Sequence, residues 1–591
     1  MAATLNEDVL TLIFSHTFDF DVLRTTAAAI GTRNQHPLHR VVLRRFLQLP
    51  LCLSSENLED SEALINHFVH NAEHAHLVRD IVIVLGPSRK YIAEHRELRN
   101  AHLPEDSKQP ERAEALVKLL PELLKHTKNL QYLDWSKSPP PNRETFEELT
   151  EHSSITHLSL DCSEKSVDFP DPGESRTGAN IKILFSSIGP KVPSLDLRNV
   201  DEEVFKVIER ELPPLKTVRN LKLDLTCGVW DWDGFGSPQQ GPTEHYRFPR
   251  ISGHVQEFDL KIADLLARQQ KGPVELVDTK RLKKLKVEVV PCFGWTCIEF
   301  VRLFSGFTSA DFSSLTHLVI DDFIRDTRRW TIGGEAGWEE GGRAYVGIHE
   351  LTASLPQLRH LWVNERVLAV PSFDNRDNHW DANPFEWQSQ DTIMSRTVNS
   401  PRWELLGRTF EKLESLRVGF GQLNATWVAQ VLSHCDHTRL RAFGFDWEWQ
   451  SIEPGAVSEL IATLSRFESL TDLHILHPYP ALSATTDYTD YDVTRLAILH
   501  IHESEEVKGL VKELLSGLPG LYRVGIGRSS VWERQTRWKE GESDELHVQR
   551  LHKAEVPPFY NAGSSHPSID LGERDGYPAI KDVLRLLEDL R

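Results

Sequence analysis

The chain has 591 residues, 40% of them hydrophobic and 26% charged, an ordinary balance for a folded globular protein. Its formal net charge of −20 excludes a general attraction to nucleic acid or to an anionic membrane surface. No apolar run reaches the roughly 20 residues that span a bilayer, and six scattered cysteines point to reduced thiols in the cytosol or nucleus rather than a disulfide framework.

The first segment, LNEDVLTLIFSH, places Leu5, Val9, Leu12, Ile13 and His16 at helical spacing, with Leu10 and Phe14 widening the apolar stripe. Asn6 suits an N-cap, and Glu7 and Asp8 suit the first turn. The same three polar residues interrupt the apolar core that a signal peptide requires. FDVLRTTAAAI (residues 20–30) predicts a second helix and HPLHRVVLRRFLQLPL (residues 36–51) a third. The basic stretch inside the third, HRVVLRRF, spaces its Val and Leu residues helically and reads as a solvated face. Next comes HFVHNAEHAH, in which His67, His70 and His74 share a helix face. That geometry can bind zinc, but no cysteine or acidic pair stands at ligand spacing to support it, so no metal is assigned.

From here a pattern of the form apolar-x-x-apolar-x-apolar returns along the chain. Its instances are ITHLSL (from Ile155), VPSLDL (Val192), VRNLKL (Val218), LKKLKV (Leu282), LTHLVI (Leu315), LRHLWV (Leu358), LESLRV (Leu413), LRAFGF (Leu440), LTDLHI (Leu470), VTRLAI (Val493) and LYRVGI (Leu521). Weaker instances are VRDIVI (Val78), LQYLDW (Leu130) and VQEFDL (Val255). Helix-like stretches such as EEVFKVIEREL, TWVAQVLSHC, AVSELIATLSRF and EVKGLVKELLSGL precede several of them. Each unit therefore reads as helix, turn, short strand. One unit cannot bury its apolar face alone, but stacked neighbours can. From Leu413 onward the spacings are 27, 30, 23 and 28 residues, in the range of short solenoid repeats.

These phrases resemble leucine-rich repeats, specifically the irregular repeats of fungal F-box-like proteins, over residues 78–527. The asparagine that usually follows the strand in regular repeats is mostly absent, Asn199 lying one position off. An α/β domain built on a parallel sheet remains the alternative architecture. The three opening helices resemble an F-box through Leu5, Glu7, Val9, Leu10, Ile13 and Phe14, then Asp21, Val22 and Leu23 where that family carries Asp-Leu. The family's usual Pro after the first Leu is Asn6 here, and no Trp follows the third helix. The resemblance implies docking of Leu5, Val9, Leu10, Ile13 and Phe14 on the Skp-type adaptor of a cullin–RING ligase, with the repeats selecting a target protein that the sequence does not identify. The competing reading is that these helices cap the first repeat.

No segment specifies an active site. TIGGEAGWEEGG (residues 331–342) lacks the Lys-Ser/Thr ending of a phosphate loop. GIGRSS at Gly525 lacks a third Gly, and Cys292 and Cys297 have no second cysteine pair. Tryptophans are more informative: Trp230 and Trp232 in VWDWDGFG, and Trp447 and Trp449 in DWEWQ, follow predicted strands. Loops at a solenoid edge are where recognition concentrates, and Trp is enriched at binding hot spots. Packing of these rings into the irregular repeats is the rival reading.

Beyond Ser529 the chain turns charged and then loop-like, ending on AIKDVLRLLEDLR, whose apolar spacing predicts a helix that caps the final repeat. The expected organisation is thus an F-box-like module over 1–50, an irregular leucine-rich repeat-like α/β solenoid over 51–528, and a loop-rich tail with a capping helix over 529–591. The expected function is a non-catalytic, cytoplasmic or nuclear recognition adaptor without cofactor, nucleic-acid or membrane partner. A repeat scaffold without ligase role is the alternative, and an α/β enzyme with a dispersed site is the third reading.

Overall fold

A computed structural model describes residues 41, 47, 51–84, 109–136, 143–162, 192–198, 200, 202–211, 216–225, 253–263, 276–290, 307–322, 351–364, 407–419, 425–446, 455–476, 505–526, 530–535, 547–551, 558–561, 583, 584 and 587. They belong to two compact units, one of residues 1–235, 250–255 and 566–591, the other of residues 236–249 and 256–565.

The first unit contains β1 (Leu51–Ser54), β2 (Asp80–Val84), β3 (Tyr132–Ser136), β4 (His157–Asp161), β5 (Ser194–Arg198) and β6 (Asn220–Leu225). From β1 to β6, strands consecutive in sequence pair in parallel. The second unit repeats the arrangement with β7 (Glu257–Ala263), β8 (Lys284–Val290), β9 (His317–Asp322), β10 (His360–Asn364), β11 (Ser415–Gly419), β12 (Ala442–Asp446), β13 (Asp472–Leu476) and β14 (Arg523–Ile526). Two antiparallel strands, β15 (Ser530–Gln535) and β16 (His547–Arg550), extend its edge. Every predicted strand segment forms one of these strands except VTRLAI, which lies outside the described residues.

The register explains the pattern. Strand side chains alternate between faces, so the fourth and sixth positions of the repeat point the same way. In the first unit the fourth positions align as Leu133, Leu158, Leu195 and Leu221, and the sixth as Trp135, Leu160, Leu197 and Leu223. In the second unit the fourth positions align from Phe258 and Leu285 through Leu416 and Phe443 to Val524, and the sixth from Leu260 to Ile526. All of these are buried. The fold is α/β, and its long runs of parallel strands in sequence order resemble a leucine-rich repeat solenoid.

Helices close the buried side. In the first unit α1 (Leu58–His70), α2 (Ala72–Ala75), α3 (Gln109–His126), α4 (Arg143–Glu151) and α5 (Glu202–Glu211) alternate with strands, α3 packing against α1 and α4. Leu116, Leu120, Leu123 and Leu124 form the buried stripe of α3, while Glu114 pairs with Lys118 at 2.7 Å on its exposed side. The second unit has α6 (Ala425–Leu432), α7 (Ala456–Leu464), α8 (Glu505–Gly517) and the single turn α9 (Pro558–Asn561), with α7 packed on α6 and α8. Among the described residues no helix is long and apolar enough to cross a membrane.

At three strand entries threonine ties neighbouring repeats together. Thr156, Thr316 and Thr471 each occupy the second repeat position, and each donates its hydroxyl to the carbonyl of the second-position residue one unit earlier: Gln131, Lys283 and Arg441, at 3.0–3.2 Å. Their backbone N–H groups bond to the same carbonyls. Adjacent units are thereby stitched where the chain turns into each strand.

Two expectations are revised. Leu51, read as the end of a third helix, opens β1, where Leu51, Cys52 and Leu53 are buried against Ile81, Val82 and Ile83; Val41 and Leu47 upstream are helical and buried. The charged segment after Ser529 supplies β15 and β16 rather than loop alone. Val583, Leu584 and Leu587 are helical, and residues 566–591 fall in the first unit.

Candidate functional site

The fifth and third repeat positions project from the face opposite the helices, so they decide what each unit can recognise. In the first unit the fifth-position row runs Val82, Asp134, Ser159, Asp196, Lys222. Arg198, at the end of β5, donates Nη2 to Asp134 Oδ2 at 3.3 Å and to Asp196 Oδ2 at 3.1 Å, and Nε to Asp196 Oδ2 at 3.3 Å. The cluster is deeply buried, with Asp134 fully so. Burial pushes the Asp134 carboxyl above its ordinary range, against the opposing pull of Arg198. Burial disfavours the charged Arg198 guanidinium, but Asp196 and Asp134 outweigh it and hold the group firmly protonated. Beside the cluster Tyr132 stacks on His157, ring centroids 4.5 Å apart, and burial lowers His157 to about 4. Two acids sharing one base make a rigid charged core in this face.

The second unit presents a different row: Trp362, Arg417, Gly444, His474, Gly525 on β10 to β14. The Arg417 guanidinium carbon sits 3.7 Å over the Trp362 ring, a cation–π contact. Its stem crosses Gly444, where an added Cβ would come within 3.0 Å of Arg417 Cγ. α9 lies on this row. Arg417 Nη1 donates to the Phe559 carbonyl at 3.4 Å, and Tyr560 packs its ring 5.1 Å from His474. Gly525 forms the floor of that seat: a Cβ there would lie 2.5 Å from Tyr560 Cδ1.

The third-position row completes the surface. Tyr560 donates its hydroxyl to Asp472 Oδ1 at 3.1 Å, and Arg523 pairs with both Asp472 and Glu533 at 3.5 and 3.6 Å. Burial, then Asp472, pushes the Tyr560 phenol well above its ordinary value. Further along, His317 and His360 stack at 3.8 Å, and burial followed by His360 and Lys284 lowers His317 to about 3. The two rows therefore offer aromatic platforms, the fixed cations Arg417 and Arg523, and the Asp472 carboxylate as acceptor, which suits recognition of a polypeptide segment.

Leu5, Val9, Leu10, Ile13 and Phe14, and Trp230, Trp232, Trp447 and Trp449, lie outside the described residues. His67, His70 and His74 do not converge as ligands: His67 Nε2 and His74 Nδ1 are hydrogen-bonded at 2.9 Å, and His70 bonds to the Asn66 carbonyl at 2.7 Å. Among the described residues no group of three His, Cys, Asp or Glu side chains is arranged for a metal. Sequence reasoning passed over Trp362, Arg417, His474 and Gly525, although the fifth letter of LRHLWV, LESLRV, LTDLHI and LYRVGI names each of them.

No family model matches the chain, and no curated protein matches it. Among solved structures the chain is similar to TLR13, a leucine-rich-repeat protein, in a TLR13–ssRNA13 complex, at 12% identity and a TM-score of 0.28. The match covers 60% of this chain and 36% of the TLR13 chain. The class of the fold rests on the strand order and register of the chain itself.

Proposed function

We propose that this chain is a non-catalytic protein-recognition scaffold and, more narrowly, a substrate receptor of an SCF-type (Skp–cullin–F-box) ubiquitin ligase. The observation that carries the broader reading is the row Trp362, Arg417, Gly444, His474 and Gly525, which already holds a peptide segment by aromatic, cationic and hydrogen-bonding contacts. Repeat surfaces of this kind present many side chains on one rigid sheet, which favours protein partners. The narrower reading is supported by the apolar stripe Leu5, Val9, Leu10, Ile13 and Phe14 ahead of the repeats. On it those residues hold a Skp-type adaptor, Trp230, Trp232, Trp447 and Trp449 contribute to target binding, and the transfer chemistry sits on partner subunits in the cytoplasm or nucleus.

Co-purification with the Skp adaptor tests the ligase role. Wild-type chain is expected to retain the adaptor, and Val9→Asp/Ile13→Asp to lose it while unfolding at an unchanged temperature. If wild type fails to bind where another F-box protein succeeds, the ligase role is removed and the scaffold reading stands alone. If the double substitution melts the repeats, the opening helix is their cap.

A further inference from the structure

The β11–β14 face is occupied by the chain's own residues. Arg417 and His474 are 2% and 1% exposed although they stand on the side of the sheet away from the helices. What lies on them is α9, a helix of four residues. A single helical turn has no stability of its own, so its conformation is held by the seat. The contacts are those of a bound peptide rather than of a core element. One tyrosine ring rests on a glycine floor against His474, one phenol hydroxyl is accepted by Asp472, and one backbone carbonyl is taken by Arg417. Phe559 packs edge-on to Tyr560 and His474, at 5.2 and 6.2 Å, closing the aromatic pair.

We infer that this face is a docking surface for a partner protein segment carrying an aromatic–tyrosine pair, and that Phe559–Tyr560 is an internal copy of that segment which the partner displaces. The inference rests on the recognition reading above and specifies its ligand. Tyrosine is preferred because its hydroxyl adds a bond to Asp472 Oδ1, beside the Arg523 and Thr471 contacts of that carboxylate, and phenylalanine forfeits it. A phosphotyrosine is rejected, because the hydroxyl abuts the Asp472 carboxylate, whose cation Arg523 is already shared with Glu533. Any side chain at position 525 closes the seat.

The test uses the full chain and a fluorescent peptide of residues 556–563, VPPFYNAG. Wild type, with its seat filled, should bind weakly. Phe559→Ala/Tyr560→Ala should bind about tenfold more tightly or better, because an occupied site lowers apparent affinity by the fraction left open. Adding Gly525→Leu to that variant should abolish binding. A peptide with phenylalanine in place of the tyrosine should bind more weakly, and one with phosphotyrosine should not bind. The inference fails if the double variant unfolds cooperatively yet does not bind the peptide, or binds it equally with Gly525→Leu present. If the double variant does not fold, hydrogen exchange on wild type decides: excess peptide should accelerate exchange at Phe559, Tyr560 and Asn561, and no acceleration overturns the inference. Adaptor co-purification from the same preparations reports the N-terminal docking separately, so each reading can fail without the other.

Discussion

At the scale of single residues, Arg198 is the most consequential side chain described in the first unit. It serves two carboxylates, one of them fully buried. Removing one partner from a buried ionic group leaves uncompensated charge, which typically costs about 3–5 kcal/mol. Arg198→Met should therefore destabilise the protein by about that amount, because two carboxylates are stranded together. Asp134→Asn should change stability by no more than about 1 kcal/mol, since the Asp196–Arg198 pair survives it. The Arg198→Met deficit should also shrink as pH falls from 7.5 to 5. Its stranded acids take up protons more readily in the folded state than in the unfolded one, so stability rises on acidification. Denaturant unfolding at the two pH values measures both effects. Equal losses for the two variants would mean that Arg198 serves packing rather than charge.

At the scale of elements, the repeat is a two-rung ladder of apolar side chains, and a hole in one rung is felt by its neighbours. Leu473 is fully buried on β13 between Phe443 and Val524. Leu473→Ala should cost about 2–5 kcal/mol, as for other buried leucines. Because each repeat contacts chiefly its neighbours, hydrogen exchange should quicken on β12, β13 and β14 while β2 to β5 keep their protection. Uniform acceleration over all strands would contradict repeat-by-repeat stability. This ladder is also what made the strands legible in the sequence: a period of two fixes both rungs, so LxxLxL located β2 to β14 without knowledge of their partners. Leu51 reads as a helix end because FLQLPL continues the leucine spacing of the preceding segment, and only the pairing of β1 with Ile81–Ile83 selects the extended form. β15 and β16 lack the repeat's apolar pattern, with Val531 the one core residue in SVWERQ, and their strand character comes from pairing beside β14. The row from Trp362 to Gly525 was readable letter by letter at the fifth position. Its occupant was not, because nothing local links Tyr560 to Gly525.

Over the whole molecule, the buried histidines give stability a direction in pH. His152 and His157 in the first unit, and His317, His360 and His434 in the second, are all lowered from 6.5 chiefly by burial, His157 to about 4 and His317 to about 3. A histidine whose folded value lies below its unfolded value binds protons preferentially when unfolded. Its stabilising contribution is therefore complete above 6.5 and is lost as pH falls from there towards 4 and 3. The carboxylates of Glu122, Asp311 and Asp436, lowered by hydrogen bonds from Lys125, Thr308 and Thr438 respectively, act only further down, below the ordinary carboxylate range. Asp134, raised by burial, acts in the opposite sense. Stability should thus be level above pH 7 and decline between 6.5 and 4 before the carboxylates titrate. His157→Asn together with His317→Asn removes two of the five proton acceptors, one from each unit. That variant should start lower at pH 7.5, having lost the Tyr132 and His360 stacks, yet lose less than wild type between pH 7 and 4.5. Denaturant midpoints across that interval measure the slope, and a variant slope as steep as wild type would place the acid sensitivity elsewhere than in these rings.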